Sequence, residues 1–421
     1  MYFSLKEKTL KLLYNILVYV AAFHIKIIAH FNSKLNLGVK GRAKTFDKLN
    51  TAIAPQDKVI WFHCASLGEY EQGLPVFEKI KEQYSKHKIV LSFFSPSGYE
   101  VRKNASIADI VIYLPLDTSK NANRFLNLVH PDLVIFVKYE FWPNYLNALK
   151  NRGITSILIS ALFRKNQSFF KFYGKWMQKH LHAFQHIFVQ NTTSKKLLNS
   201  INYNNVTVSG DTRFDRVSNQ LQTDNTLVFI EQFKQDKLCV VAGSTWPEDE
   251  QLLINFINKA SNTVKFIIAP HNIKSQDIIR LKTKIKKETV LFSEKDTKNL
   301  AQSQVFIIDT IGLLSKVYSY ADIAYVGGAI GTTGLHNILE PAVFGVPIII
   351  GNNYSNFPEA FDIIALGGLF SISNQTALDT ILNSLITNRN KRFESGKVNA
   401  EYIYKNKGAV TQITAYLLNK Q

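Results

Sequence analysis

The chain has 421 residues, of which 46% are hydrophobic and 19% are charged. This length and composition are typical of a folded protein with two domains, and they exclude a disordered chain. The formal net charge of +18 at pH 7 points to an anionic partner. Nucleic acid, an anionic membrane surface and acidic substrates are the classes to consider.

Charge distribution and cysteine usage narrow these classes. The lysines are spread along the chain, and no RNA- or DNA-binding motif accompanies their local clusters, so we expect no nucleic-acid partner. Cys64 and Cys239 lie far apart and lack metal-ligand spacing. This pattern excludes a disulfide framework and a structural zinc site, and it favours a reducing compartment.

The first predicted element is an apolar helix within residues 10–31. Its uninterrupted apolar core, residues 16–23, is short for a bilayer, and lysines lie on both sides of it. We therefore expect a helix lying on the inner leaflet, with Tyr14, Tyr19 and Phe23 at headgroup depth. The alternative is a single tilted span of about twenty residues. No small-residue cleavage site follows, so a signal peptide is not expected.

From residue 37 onward, short β-rich runs alternate with segments of helical length. This alternation predicts parallel sheets flanked by helices. A polar stretch at residues 215–226 separates two such series. We predict a membrane-associated segment at 1–36 and two doubly wound α/β domains, at 37–218 and 228–421, that face a cleft.

The first series carries polar residues directly after its first strand, in the run VIWFHCASLGE at residues 59–69. Ser66, Gly68 and Glu69 lie in the turn that enters the next helix. A carboxylate there can act as a general base on a bound hydroxyl. Alternatively, Glu69 only caps the helix, since acidic residues favour the first turn. We expect His63, inside the strand, to be a structural histidine.

Two further strand ends of this series carry polar side chains. LSFFSPSGYE places Ser95, Ser97 and Gly98 in a turn that offers hydroxyls and N–H groups to an anion. VIFVKYEFWPNYL places Lys138 and Glu140 after a buried strand. Glu140 is predicted either to bind backbone amides or to orient substrate hydroxyls.

In the second series, the run VGGAIGTTGLHNILEPAVFGVP at residues 326–347 is the most informative segment. Gly327 and Gly328 follow a strand, and paired glycines let backbone N–H groups approach an anion. We predict a helix beginning near His336, with Asn337 and Glu340 in its first turns. Glu340 is placed to accept hydrogen bonds from a ribose diol. The alternative is an ordinary strand–turn–helix unit.

Other polar residues follow strands near the domain junction and in the second series. SGDTRFD contains Arg213, AGSTWPEDE contains Ser244 and Thr245, and APHN contains His271. Each is weak evidence by itself. Because the carboxyl ends of parallel strands share one edge of a sheet, together they predict a ligand site.

In this order, ASLGE, SPSG, EFWPN, SGDTRFD, AGSTWPEDE and GG…HNILEPAVFGVPIIIG resemble the 3-deoxy-D-manno-octulosonic acid (Kdo) transferases of lipopolysaccharide synthesis. The resemblance runs from the apolar N-terminus to about Phe357. It implies a GT-B glycosyltransferase fold, CMP-Kdo as donor substrate and a lipid A precursor as acceptor. It also implies an inverting reaction without a metal ion or other cofactor, at the cytoplasmic face of the inner membrane in contact with anionic lipids.

Transferred residue by residue, the resemblance makes Glu69 the base that deprotonates the acceptor hydroxyl. It assigns the donor side to Arg213, Ser244, Thr245, His271, Gly327, Gly328, Asn337 and Glu340. It assigns the acceptor or Kdo side to Ser66, Gly68, Ser95, Ser97, Gly98 and Glu140.

Two departures from the family pattern stand out. An Arg that often accompanies the histidine is absent from residues 269–272, and a glycine pair is replaced by Gly334 and Leu335. Two alternatives remain open. One is another GT-B sugar-nucleotide enzyme, either a UDP-sugar transferase or an epimerase. The other is a basic membrane-associated or nucleic-acid-binding protein without catalysis.

Overall fold

The structure, a computed structural model, describes residues 2–419, and side chains from residue 9 to residue 419. It divides into two compact units. Unit 1 contains the described residues up to Arg216 together with those from Gly408 onward, and unit 2 is Val217–Lys407. Met1, Lys420 and Gln421, which the predicted segments 1–36 and 228–421 include, lie outside the described residues.

Unit 1 is built around a parallel sheet. Its strands are β1 (Val59–Cys64), β2 (Lys88–Phe93), β3 (Ile110–Tyr113), β4 (Leu133–Val137), β5 (Thr155–Ala161), β6 (His186–Val189) and β7 (Val206–Val208). They lie in the order β3-β2-β1-β4-β5-β6-β7, and every pairing is parallel. The chain order reverses between β1 and β4, which is where doubly wound sheets bind ligands.

The helices of unit 1 connect these strands, precede them or follow unit 2. They are α1 (Tyr2–Ile28), α2 (Ser33–Ala43), α3 (Thr45–Ala52), α4 (Leu67–Gln83), α5 (Pro96–Arg102), α6 (Ser119–Val129), α7 (Pro143–Asn151), α8 (Lys175–Leu181), α9 (Thr192–Asn199), α10 (Thr212–Gln220) and α19 (Ala409–Leu418). The division between the units falls within α10.

Unit 2 repeats the architecture with a second parallel sheet. Its strands are β8 (Leu238–Thr245), β9 (Val264–Pro270), β10 (Thr289–Leu291), β11 (Val305–Ile307), β12 (Ile323–Val326), β13 (Ile348–Gly351) and β14 (Leu369–Ile372). The strand order is β10-β11-β9-β8-β12-β13-β14, so this sheet reverses between β8 and β12. The helices are α11 (Val228–Lys234), α12 (Pro247–Ile257), α13 (Ser275–Lys284), α14 (Leu314–Val317), α15 (Leu339–Ala342), α16 (Pro358–Leu366), α17 (Gln375–Thr387) and α18 (Arg389–Asn406).

Both faces of the first sheet are buried, as near-continuous apolar strands require. One face packs around Trp61, which contacts Phe125 and Tyr145. On the other face, Phe62 stacks on Phe77 of α4 with ring centroids 4.1 Å apart. The predicted fold class, two doubly wound α/β domains with parallel sheets, is confirmed. The domain boundaries 37–218 and 228–421 stay a prediction.

The last helix, α19, belongs to unit 1 and not to unit 2. Its residues Ile413 and Leu417 are buried in the apolar cluster between α4 and the sheet. At its start, the Asp215 carboxylate accepts hydrogen bonds from the backbone N–H groups of Gly408, at 2.9 Å, and Ala409, at 3.1 Å. The chain therefore returns to unit 1 next to the helix by which it left.

The apolar helix α1 is present, and its residues Thr9–Ile28 are long and apolar enough to cross a membrane, with a mean hydropathy of 1.5. One side of it is tied to unit 1, because the Tyr14 hydroxyl donates to Asp117 at 2.7 Å and Asn144 donates to Asn15 at 3.0 Å. Tyr14 therefore faces unit 1, and its placement at headgroup depth stays a prediction. Many of its other apolar side chains are exposed, among them Leu13, Leu17, Tyr19, Val20 and Phe23.

Candidate functional site

Glu69 lies at the start of α4, directly after β1 and at the point where the strand order of unit 1 reverses. The Ser66 backbone N–H donates to Glu69 Oε2 at 2.8 Å, and the Ser66 hydroxyl donates to the same oxygen at 3.2 Å. Glu69 therefore caps the helix, as one of the two interpretations expects. Its other oxygen, Oε1, makes no hydrogen bond to any described side chain or backbone group, so one lone-pair face is left for a ligand.

The surroundings of Glu69 favour a base. Burial raises the pKa of its carboxyl above the ordinary value, and the negative charge of Glu140 acts in the same direction. The Ser66 N–H, His63 and the Ser66 hydroxyl oppose this shift. A carboxylate with a raised pKa takes a proton from a hydroxyl more readily than a solvated one.

Glu140 is 6% exposed and is the last acceptor in a chain of buried hydrogen bonds. Trp61 Nε1 donates to Ser92 Oγ at 2.7 Å, and Ser92 Oγ lies 2.8 Å from His63 Nδ1. His63 Nε2 then donates to Glu140 Oε2 at 2.8 Å, where Trp142 Nε1 also donates at 2.7 Å. His63 is thus the structural histidine expected, and Glu140 is held rigidly.

The SPSG turn begins α5, a helix of only 7 residues. Ser95 Oγ and Ser97 Oγ lie 2.7 Å apart, and Ser95 precedes the helix in an extended conformation. Gly98 is required sterically, because a Cβ there would lie 2.3 Å from the buried Phe93 ring. The two hydroxyls pair with each other, and their contact with a substrate stays a prediction.

Arg213 lies in the first turn of α10 in unit 1. Its Nε and Nη2 atoms are both 2.8 Å from Asp211 Oδ2. Thr212 fixes this turn, since its Oγ1 donates to the Gln72 carbonyl and lies 2.8 Å from Ser160 Oγ. The other predicted donor residues belong to unit 2, so Arg213 is the one member of that group in unit 1.

In unit 2, the predicted residues after β8 lie where that sheet reverses. Ser244 has φ +53°, which is uncommon for a residue other than glycine, and the pairing of β8 with β9 shifts register here. Such strain concentrates at functional sites. Thr245 is buried, and its hydroxyl donates to Glu250 at 3.3 Å. The Thr245 side chain therefore packs behind the site and has little surface for a ligand to contact.

His271 belongs to a stack of rings that the sequence did not indicate. It lies parallel to Trp246 with ring centroids 4.5 Å apart, and 4.7 Å from His336. Trp246 Nε1 donates to His336 Nε2 at 3.1 Å. Burial lowers the pKa of His336 to about 4, so this imidazole is neutral at pH 7 and can accept that bond.

One N–H group of the glycine pair binds a carboxylate of the chain itself, and the other binds a backbone carbonyl. The Gly328 N–H donates to Asp249 Oδ2 at 2.8 Å, and the Gly327 N–H donates to the Gly243 carbonyl at 3.0 Å. Asp249 is fully buried and also accepts from Trp246 N, at 2.9 Å, and from the Tyr325 hydroxyl. In this structure both N–H groups have partners within the chain, and the assignment of Gly327 and Gly328 to the donor side stays a prediction.

The helix expected near His336 begins later and is shorter. α15 starts at Leu339 and has 4 residues. Asn337 precedes it, accepting from the Leu339 N–H at 3.2 Å and donating to Glu340 Oε1 at 3.1 Å. Because α15 is so short, its dipole contributes little positive potential. Asn337 and Glu340 are brought together, as the ribose prediction requires.

No metal centre is evident among the described residues. Within residues 9–419, no three His, Cys, Asp or Glu side chains lie close enough to hold a metal ion. Cys64 and Cys239 are both buried and free.

Comparison with known proteins shows which enzymes the chain resembles. Residues 38–216 match the family model described as 3-deoxy-D-manno-octulosonic-acid transferase (kdotransferase). The Kdo transferase of Haemophilus influenzae is 28% identical over 389 residues, which cover 88% of this chain and 89% of that protein. The Kdo transferase of Aquifex aeolicus is 27% identical over 334 residues, or 78% and 86% of the two chains. The chain is therefore similar to Kdo transferases over most of its length.

The similarity to these enzymes indicates that the chain is a glycosyltransferase. Its architecture agrees with GT-B proteins. The UDP-GlcNAc 2-epimerase of Neisseria meningitidis, solved with UDP-GlcNAc, superposes with a TM-score of 0.59 over 86% of this chain and 100% of that one. At 16% identity, this likeness concerns the fold alone.

The sequence prediction missed Trp246, Asp249 and His336 as parts of the second site. A local signal for Asp249 exists, because it follows Trp246 by three positions with Pro247 between them, which is the spacing of a helix-capping residue. Its bond to Gly328 joins residues that are 79 positions apart. No local pattern in this sequence predicts a bond over such a separation.

Proposed function

We propose that the chain transfers Kdo from CMP-Kdo to a lipid A precursor, with inversion at the anomeric carbon and with Glu69 as general base. The observation that carries this proposal is Glu69 itself. It lies inside the matched residues 38–216, its pKa is raised, and Oε1 is free of hydrogen bonds to other described groups.

In the proposed step, Glu69 takes the proton of an acceptor hydroxyl while that oxygen attacks the anomeric carbon of Kdo. The bond from this carbon to the phosphate oxygen breaks, and CMP leaves with the electron pair. One face of the carbon is attacked while the other releases CMP, so the configuration inverts. A general base of this kind contributes about 10²–10⁴-fold to the rate.

We assign CMP to the residues at the reversal point of the second sheet. Glu340, oriented by Asn337, would accept from the ribose diol, and Ser244 and His271 would line the same site. Because α15 is short, we expect Arg213, and not a helix dipole, to stabilise the charge of the leaving CMP. We expect transfer to need no metal ion, so that it persists in EDTA.

We place the protein at the cytoplasmic face of the inner membrane. The exposed apolar side chains of α1 support this placement, because they would lie in the acyl region of one leaflet. The net charge of +18 would add attraction to anionic lipids.

The experiment is to incubate the purified chain with CMP-Kdo and a lipid A precursor and to weigh the product. We expect a mass increase of one or more Kdo units. Glu69→Gln should bind CMP normally and lose about 10²–10⁴-fold in kcat. Glu82→Gln, on the exposed side of the same helix, is the matched control and should keep its activity.

Two outcomes would reject the proposal. Normal turnover by Glu69→Gln would exclude Glu69 as the base. Turnover of UDP-GlcNAc or another UDP-sugar without turnover of CMP-Kdo would replace the proposed donor with a UDP-sugar, the alternative that the sequence leaves open.

A further inference from the structure

Three cationic side chains follow strands of unit 1 at one edge of its sheet. Lys138 comes directly after β4, Arg164 comes three residues after β5, and Arg213 follows β7. Since all these strands are parallel, their carboxyl ends meet at the edge where Glu69 follows β1.

The backbone at this edge is strained. Lys138 has φ +69°, and its N–H donates to the Ile159 carbonyl of β5 at 2.9 Å. On that neighbouring strand, Ser160 has φ +52°. Two non-glycine residues in the left-handed region at adjacent strand ends are uncommon in an ordinary turn. Strain of this kind persists where a side chain must be directed toward a ligand.

Tyr139 lies between two of the cations. The Lys138 ammonium is 5.4 Å from the centre of the Tyr139 ring, and the Arg164 guanidinium is 5.9 Å from it. The Tyr139 hydroxyl is buried and has no hydrogen-bond partner among the described residues. A buried hydroxyl without a partner costs free energy, which a bound acceptor would recover.

Positive charge exceeds paired negative charge among the side chains at this edge. Asp211 is engaged by Arg213, whereas Lys138 and Arg164 have no carboxylate within 4.0 Å among residues 9–419. Burial lowers the pKa of Lys138, and the charge of Arg213 acts in the same direction. Asp211 and Glu69 oppose this shift, and Arg164 adds to it. A bound anion would stabilise the charged form of Lys138.

We propose that Lys138, Arg164 and the Tyr139 hydroxyl bind an oxyanion, either a carboxylate or a phosphate monoester, next to Glu69. The guanidinium and ammonium groups supply charge-assisted hydrogen bonds, and the phenol donates one more. On the basis of the proposed function, this oxyanion belongs to one of the two substrates and fixes the reacting groups relative to Glu69. Arg164 lies outside the motifs that the sequence singled out, and Tyr139 lies inside the run VIFVKYEFWPNYL without having been assigned a role.

The first test does not need transferase activity. Inorganic phosphate is titrated into the full chain by calorimetry, for the wild type and for Lys138→Met, Arg164→Met and the double variant. We expect the double variant to bind phosphate about tenfold or more weakly. Lys196→Met, an exposed lysine of α9 in the same unit, is the control and should bind as the wild type does. Circular dichroism verifies that each variant is folded, and Lys138→Arg should restore binding.

The second test identifies which substrate carries the oxyanion. Steady-state kinetics compare the double variant with the wild type. A raised KM of the variant for the acceptor alone assigns the anion to the acceptor, and a raised KM for CMP-Kdo alone assigns it to the sugar acid of the donor. Phosphate binding by the double variant equal to that of the wild type, or no phosphate binding by the wild type, overturns the proposal. If the wild type transfers no Kdo, the proposed function fails, while the phosphate titration still decides on this site.

Discussion

At the scale of the residue, Glu69 combines two uses that the sequence left as alternatives. One carboxylate oxygen caps α4 through Ser66, and the other remains open. The cap fixes the rotamer, because an oxygen bound at 2.8 Å to a backbone N–H cannot swing away. A base held in this way is already oriented when a hydroxyl arrives, which lowers the entropic cost of reaction.

The charge of Glu140 should tune that base. Since Glu140 raises the pKa of Glu69, Glu140→Gln should lower it. The base works only when deprotonated, so activity is lost as the pH falls through the pKa of Glu69. We therefore expect the acid limb of the kcat/KM profile to move to lower pH in Glu140→Gln and to stay in place in Glu82→Gln. An acid limb that does not move would show that Glu140 does not act on the base.

At the scale of the element, the loop between β12 and α15 depends on a close approach of backbone to backbone. Gly328 has φ +96°, and a Cβ there would lie 2.1 Å from the Gly334 carbonyl oxygen. Gly334 has nearly the same backbone conformation, at φ +97°, but a Cβ there would meet nothing within 4 Å. Alanine at Gly334 would therefore cause only backbone strain, whereas alanine at Gly328 would cause the same strain together with steric overlap.

Gly334→Ala should lower the free energy of unfolding by about 1–2 kcal/mol, the cost of a left-handed alanine. Gly328→Ala should lower the free energy of unfolding by a further amount of about 1–3 kcal/mol, because its Cβ would overlap a backbone atom that cannot rotate away. It should also weaken CMP binding, since it disturbs the bond from Gly328 to Asp249. Urea unfolding and CMP titration of both variants measure these effects. Equal destabilisation by the two substitutions would contradict the predicted overlap.

The elements show what can be predicted from sequence and what cannot. β1 and β4 are each a fully buried, mainly apolar run that ends at polar residues, and such runs are recognisable in the sequence as strands. β14 was not predicted, since Leu369–Ile372 is only 4 residues long and partly exposed. The helix near His336 was wrong because the Asn337 side chain caps a later start. The partner of the glycine pair, Asp249, is distant in sequence and depends on the tertiary fold.

At the scale of the whole molecule, α1 is attached to unit 1 by a polar side and exposes an apolar one. We expect Leu17→Gln with Phe23→Gln, which are 65% and 62% exposed in the wild type, to reduce binding to vesicles. The contact of Tyr14 with Asp117 remains, so the fold should be kept. Leu366→Gln, 57% exposed in unit 2, is the control. Vesicle flotation measures the effect, and undiminished binding would place the membrane contact elsewhere on the protein.

The return of the chain at Asp215 makes unit 2 an insertion within unit 1. Residues 215 and 408 are joined by a hydrogen bond, so the gap that would be left by removing the intervening segment is short enough to be closed by direct ligation or by a brief linker. Unit 2 is thus one continuous segment, Val217–Lys407, that could be exchanged for another α/β domain at this junction. Conversely, deletion of α19 would remove Ile413 and Leu417 from the core that supports Glu69. A truncation at the C-terminus would therefore destabilise unit 1, although most of unit 1 lies at the start of the sequence.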